Sequence, residues 1–328
     1  MNNPKTPRPL NRFYRFQHSL VVETDDVESA VWIDLLSPSR EEEIHLEKKL
    51  GIELPTREDM EEIEISSRLY EENGGIFMTV QLPAASEEEN LTTGPVTFVV
   101  VANRLITIRY HDPRTFTTFP ARAARYPVAG DSAETLFLAL LEALVDRLAD
   151  IIERAGHTVA PISRSIFRAA ETKRPGSHRY RSYLETIGRT GDLISDIRDS
   201  TMTIDRAVGF YASHLAHREG TEAHRSRIKT ITRDMHSIGD HADFLSGKIT
   251  LLLDATLGLI SIEQNGIIKI FSVAAVVFLP PTLVASIYGM NFKFMPELSW
   301  HFGYPFAIGL MIASALLPYW FFKRQGWL

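Results

Sequence analysis

The sequence predicts an α+β membrane protein, with a mixed α/β body first, long helices after it, and two membrane-spanning helices at the C-terminal end. Three observations predict it. Residues 270–292 and 302–322 carry no formal charge over 23 and 21 positions. At about 1.5 Å per helical residue each run is long enough for a hydrocarbon core of about 30 Å. Residues 133–171, 178–219 and 222–288 contain no proline except Pro161, Pro280 and Pro281, and their apolar residues recur at helical spacing. Ahead of them, short β-branched and aromatic runs alternate with turn residues.

Residues 1–12 hold three prolines and little apolar content, so a disordered lead-in is expected. Val31-Trp32-Ile33-Asp34-Leu35-Leu36 reads as a short strand. Ser37-Pro38-Ser39 closes it as turn and helix cap, and residues 41–50 read as a helix ending at Gly51. A second short helix follows Thr56. Residues 67–70 and 76–82 flank Asn73-Gly74-Gly75, a hairpin signal, and residues 96–101 and 105–110 flank Asn103-Arg104, another. Such strands pack as a sheet covered by helices. A helix over residues 222–288 would be about 100 Å long, more than one globular core supports, and reads as a stalk continuous with the first span. Packing against residues 133–219 and self-association would support it. The expected divisions are a cytoplasmic α/β domain (residues 1–130), a helical stalk (131–264) and a membrane domain (265–328). Within the last, the first span covers about 268–290, an outer loop 291–301 and the second span about 302–322, with a short tail after it.

Composition sorts the function classes. Across 328 residues, 45% hydrophobic and 23% charged content describe an ordinary soluble protein, but that average conceals a split. The net charge of −6 divides into 31 basic against 40 acidic residues up to Gln264, and four basic residues (Lys269, Lys293, Lys323, Arg324) against Glu297 beyond it. No clustered basic excess exists to bind phosphates, so nucleic acid is excluded as a partner. The acidic body has two open readings, solubility and cation handling. Zero cysteines remove disulfides, thiolate metal sites and cysteine nucleophiles. No phosphate loop, dinucleotide fingerprint or H-E-x-x-H helix occurs, nor any convergent catalytic group, so an enzyme is not expected. Lys269 precedes the first span while Lys323 and Arg324 follow the second, which places both termini in the cytoplasm of a protein of the cell (inner) membrane. The N-terminus has no signal-peptide apolar region. Trp300, Tyr304, Tyr319, Trp320 and Trp327 supply interfacial aromatics.

The first span has a face suited to water. Steps of three and four from Asn265 give Ile268, Ser272, Ala275, Leu279, Thr282, Ser286 and Gly289, while Ile270, Val273, Val277, Leu283 and Val284 are assigned to the opposite face. Hydroxyls and an amide can line a wet path, with Ile268 and Leu279 as apolar constrictions; close helix packing through small residues is the competing reading. Pro280 and Pro281 remove two backbone donors in mid-span, which is tolerated beside protein or a cavity. Tyr288-Gly289-Met290-Asn291 stands at the outer end, and no acid occurs from Gln264 to Pro296. Mg²⁺ dehydrates reluctantly, and neutral oxygens can hold it through its waters, whereas a bare divalent ion would want carboxylates.

Tyr288-Gly289-Met290-Asn291, Met295-Pro296-Glu297-Leu298, the two C-terminal spans and the ending Lys323-Arg324-Gln325-Gly326-Trp327-Leu328 together resemble the CorA family of magnesium channels, in particular its bacterial magnesium/cobalt/nickel branch. Residues 262–265 and Ala30-Val31-Trp32-Ile33-Asp34-Leu35 extend the likeness over nearly the whole chain. The resemblance implies a homopentameric funnel, with a cytoplasmic α/β/α domain and a pore lined by five copies of the first span. It implies that Gly289 and Asn291 form the outer ring that selects a hydrated ion, with Tyr288 and Met290 between and beside them. Asn265 falls at the cytoplasmic mouth, Thr282 and Leu279 at pore-facing positions, Ile268 and Phe271 at the hydrophobic gate, and Glu297 in the outer loop. It also implies transport of Mg²⁺, with Co²⁺ and Ni²⁺ as further substrates, and gating by intracellular Mg²⁺ bound between protomers at acidic residues. Asp234, His236, Asp240 and Asp243 are the stalk candidates for that regulatory metal, the last three sharing a helical face at i, i+4 and i+7. For any single one of them a solvated stalk face is the simpler reading. His214, His217 and His224 read as exposed histidines. Related zinc transporters share Gly-Met-Asn but usually lack the Met-Pro-Glu-Leu loop, so zinc transport is the second reading; a membrane-anchored scaffold would leave the hydroxyl stripe unexplained.

Overall fold

The computed structural model describes residues 10–85, 91–168, 177–216, 218, 220–291 and 295–327. Among these, β1 (Leu10–Gln17), β2 (Leu20–Thr24), β3 (Trp32–Leu36), β4 (Leu69–Glu72), β5 (Gly75–Ala85), β6 (Leu91–Val101) and β7 (Arg104–Arg109) form one sheet in the order β2-β1-β3-β7-β6-β5-β4. Every neighbouring pair is antiparallel except β3 with β7. The helices are α1 (Arg40–Leu50), α2 (Arg57–Glu61), α3 (Ile65–Arg68), α4 (Thr115–Ala123), α5 (Ala133–Arg168), α6 (Ser177–Leu215), α7 (Glu222–Tyr288) and α8 (Gly303–Arg324). Residues 182–252 belong to the same compact unit as the sheet, while residues 253–327 belong to a second; the division falls within α7.

In the first unit the sheet lies between two layers, because its strands alternate apolar residues to both faces. Ile33, Leu35, Phe77, Val99, Ile106 and Ile108 pack with Leu46 of α1 and Met60 of α2. Trp32, Met78, Val80, Phe98 and Leu105 point the other way, into one core with Phe116 of α4, Phe137 of α5, Tyr211 of α6 and Met235 of α7. The body is therefore α/β/α, as expected. Ser39 caps α1 with a reciprocal bond to Glu42, and Thr56 caps α2 in the same way with Asp59.

α7 spans the expected 67 residues, whereas α6 ends at Leu215, short of residue 219, and α3 and α4 are helices the sequence reading does not contain. The hairpins need three corrections. Leu10, Asn11 and Arg12 are not a disordered lead-in but the start of β1; residues 1–9 lie outside the described residues. Ser67 and Arg68 close α3 rather than opening a strand. The β6–β7 turn is Ala102-Asn103, not Asn103-Arg104, since Val101 pairs with Arg104. The β4–β5 turn is Asn73-Gly74 with both φ positive, at 49° and 75°, which Asn and Gly adopt readily. His18-Ser19 and Ala102 also take positive φ, without that sequence signature.

A buried polar cluster crosses the parallel pair of β3 and β7. Arg109, 1% exposed, holds both carboxylate oxygens of Asp34, 0% exposed, at 3.0 and 2.8 Å. Thr107 Oγ1 donates to the same carboxylate at 2.8 Å and accepts from Trp32 Nε1 at 3.0 Å. The guanidinium also binds Asp112 at 2.6 Å and lies 4.6 Å from the centre of the Phe116 ring. Burial works against its charge, but the bonds and charges of Asp34 and then Asp112 outweigh burial and raise the Arg109 pKa.

Candidate pore face and metal sites

Two helices among the described residues, α7 and α8, are long and apolar enough to cross a membrane. The C-terminal half of α7 carries the candidate pore residues. Its Pro280 and Pro281 lack the N–H groups that the carbonyls of Val276 and Val277 would otherwise accept, yet the helix continues to Tyr288. Just beyond them, Thr282 Oγ1 donates to the Phe278 carbonyl at 2.8 Å, so its hydroxyl oxygen keeps acceptor capacity for a ligand or water.

Burial divides this half of α7 into two faces. Val273 is 4% exposed, and Val277, Pro280, Pro281, Val284 and Tyr288 are half-buried along the same side. On α8, Gly303 and Ala307 are buried and Met311, Ser314, Pro318 and Phe322 half-buried. Asn265, Ile268, Phe271, Ser272, Ala275, Leu279, Thr282 and Ser286 are all exposed, Phe271 at 72% and Leu279 at 69%. At about 100° per residue, the stripe from Asn265 to Ser286 centres roughly 180° from the covered side of α7. The helix thus presents its hydroxyls and amide away from its own chain. Two residues assigned to the opposite face do not lie under cover: Ile270 and Leu283 are 63% and 58% exposed. For Leu283 the reason is geometric, because eighteen residues complete about five turns and return it to the side of Asn265.

α7 stops where the Gly-Met-Asn triplet begins. Gly289 N–H still donates to the Ala285 carbonyl at 2.9 Å, and Met290 N–H donates to Ile287 at 3.2 Å. A Cβ on Gly289 would stand 3.1 Å from that Ala285 oxygen, so a larger residue requires the last turn to give by a few tenths of an ångström. Gly289, Met290 and Asn291 are exposed. Phe292 and Lys293 lie outside the described residues, as does the Glu297 side chain, whose backbone belongs to a 3₁₀ turn over Pro296–Ser299.

The regulatory candidates sit on the part of α7 in the first unit. His236 and Asp240 are exposed, Asp234 lies 3.7 Å from Arg233, and Asp243 is paired with Arg198 at 3.0 Å. Among the described residues, no three His, Asp or Glu side chains are placed to hold a metal ion. His214 is paired with Glu71 at 3.1 Å, His224 lies 3.6 Å from Glu134, and His217 lies outside the described residues.

The end of α8 was missed as a structural device. Trp327 N–H donates to the Phe322 carbonyl and Gly326 N–H to Lys323, with Gly326 at φ 72°, a left-handed position that suits glycine. This cap turns Trp327 back, so that its ring lies 5.3 Å from that of Phe322 and 5.7 Å from Lys269 Nζ on α7. A glycine two positions after the last helical arginine is the signal that could have found it.

Residues 27–324 match the family model described as CorA-like Mg²⁺ transporter protein. The chain is 38% identical over 318 residues to the magnesium transport protein CorA of Escherichia coli (strain K12), covering 97% of each chain. It is equally 38% identical to the protein of that name from Pasteurella multocida (strain Pm70), covering 92% of this chain and 93% of that one. Its fold is similar to the complete structure of the CorA magnesium transporter from Methanocaldococcus jannaschii, with a TM-score of 0.74 at 20% identity, over 97% of this chain and 99% of the other.

Proposed function

The chain belongs to the family of CorA-like Mg²⁺ transporter proteins, and we propose that it is a channel that carries Mg²⁺, and also Co²⁺ and Ni²⁺, inward across the cell (inner) membrane. The α/β body (residues 1–130) and stalk (131–264) lie in the cytoplasm with both termini, and residues 265–328 cross the bilayer twice. One observation carries the reading: the polar and small-residue stripe of α7 faces away from the side its own chain covers. Exposed to lipid, the Asn265 amide and the acceptor capacity that the hydroxyl oxygens of Ser272, Thr282 and Ser286 keep would lose water without replacement. Facing an axis shared by five copies, they line a wet path.

In that arrangement Gly289 and Asn291 ring the outer mouth. The Asn291 amide oxygens accept hydrogen bonds from the ion's own waters, so the ion need not be stripped. Leu279, Phe271 and Ile268 narrow the path with apolar rings that close by dewetting, and Asn265 receives the ion on the inner side. Two charges moving through 100 mV yield about 4.6 kcal/mol, which suffices without nucleotide hydrolysis.

Protein reconstituted in liposomes should take up Mg²⁺ when the interior is made negative, and cobalt hexammine, a fixed mimic of the hydrated ion, should block that uptake. Zn²⁺ uptake without Mg²⁺ uptake would replace this reading with zinc transport, and absence of ion flux would leave a scaffold.

Gating follows the same charge logic. His236 and Asp240 expose their groups on α7, with half-buried Asp234 and the Arg198-paired Asp243 beside them, and a neighbouring copy completes an oxygen-rich site that Mg²⁺ bridges when it is plentiful inside. Asp240→Lys should weaken inhibition by internal Mg²⁺ by about tenfold, since it replaces a ligand with a like charge. An unchanged inhibition curve would remove the sensor from this stretch.

A further inference from the structure

Where α7 enters the helical pair and α8 leaves it, three cations each lie over an aromatic ring. Lys269 Nζ is 5.7 Å from the ring centre of Trp327, Lys323 Nζ 6.0 Å from that of Tyr319, and the guanidinium carbon of Arg324 5.5 Å from that of Trp320. All three cations are exposed. Among the described residues no carboxylate lies within 4.0 Å of any of them. From residue 265 onward the sequence has a single acidic side chain, Glu297, which precedes α8 and so belongs to its other end.

Helix electrostatics accounts for part of this pattern, because cations complement the C-terminal end of α8. It does not account for Lys269, which sits well inside α7 rather than at a helix end. Trp327, turned back by the Gly326 cap, supplies the ring beneath that lysine. Aromatic rings with one apolar side and one wet side mark the headgroup level of a bilayer, and cations held among them stand at the height of lipid phosphates.

We infer that Lys269, Lys323 and Arg324, held over Trp327, Tyr319 and Trp320, form a docking surface for the headgroups of anionic phospholipids. The lipid phosphates supply a counter-charge that no carboxylate among the described residues supplies there, and the proposed five-membered assembly repeats the surface around its rim. This inference rests on the membrane reading above.

The chain's four tryptophans make the test direct. Trp32 is buried in the body, so in a Trp300→Phe protein only Trp320 and Trp327 report on the bilayer. The full-length protein is reconstituted in phosphatidylcholine bilayers that contain either brominated phosphatidylglycerol or brominated phosphatidylcholine. Quenching by the neutral brominated lipid reads membrane insertion itself, which separates failure of this inference from failure of the membrane reading. At low mole fraction the anionic lipid should associate about fivefold more strongly than the neutral one. The preference should shrink toward unity in high salt, and in Lys269→Gln/Lys323→Gln/Arg324→Gln. Equal quenching by both lipids overturns the inference; it is the result expected if the acidic body of a neighbouring copy covers these cations instead. A preference that survives the triple substitution also overturns it. Where the triple variant fails to insert, Lys269→Gln and Arg324→Gln alone should each lose part of the preference, and an undiminished preference in both overturns it.

Discussion

Asn291→Ala is expected to lower Mg²⁺ influx into liposomes by about tenfold or more, with the body still folded and the protein still inserted. The reasoning starts from the chemistry of the ion. A hydrated Mg²⁺ presents a shell of water protons, and a ring that selects it must offer acceptors at a fixed radius. Asn291 is the one polar side chain in the exposed triplet that follows α7, so in the proposed pentamer its loss removes five acceptors together. The backbone at Gly289 and Met290 continues to bond to Ala285 and Ile287, so the last turn has no reason to open. Asn291→Asp makes the complementary test. Five carboxylates would hold the cation more tightly and favour stripping its waters, so binding should strengthen while turnover falls and competition by cobalt hexammine weakens. Wild-type flux in Asn291→Ala would remove the selectivity role from this residue.

Much of the architecture is legible in the sequence, and the reasons differ by element. The extent of α7 follows from apolar residues at helical spacing with no proline before Pro280, and the stripe of Asn265, Ser272, Thr282 and Ser286 follows from helical period alone. Period itself returns Leu283 to the side of Asn265, whereas Ile270 shares the angle of the covered side and is still 63% exposed, because period says which residues share a face but not what covers it. Strands β1 and β2 escape notice because their turn, His18-Ser19, has neither asparagine nor glycine, and three prolines just ahead suggest disorder. The Asp34–Arg109 pair is illegible for another reason. Seventy-five positions separate the two residues, and only the parallel register of β3 with β7 brings them together. The proposed regulatory residues lie along one helix, and among the described residues no three His, Asp or Glu side chains converge there to hold a metal.

That buried pair carries the second large expectation, which concerns stability. Arg57 and Glu61 form an ion pair at 2.9 Å with both side chains 55% exposed, and water makes such a pair nearly worthless. Arg109 and Asp34 meet at 2.8 Å with almost no exposure, so removing one partner strands the other charge away from water. A loss of about 3–5 kcal/mol is expected for Arg109→Met, a fall in Tm of roughly 10 °C for a unit of this size. Asp34→Ala should cost less. The stranded guanidinium keeps Asp112 at 2.6 Å and the His111 carbonyl at 3.2 Å, whereas the stranded carboxylate of Arg109→Met keeps only the Thr107 hydroxyl. Thermal unfolding of the full-length protein, followed by tryptophan fluorescence, reads the order directly, because Trp32 bonds to that same hydroxyl. Asp34→Leu/Arg109→Met removes both charges and should recover most of the loss, since an apolar pair in the same space leaves only Thr107 to be satisfied. A double variant no more stable than Arg109→Met would mean that the cluster contributes through its shape and packing against Phe116 rather than through the balance of its charges.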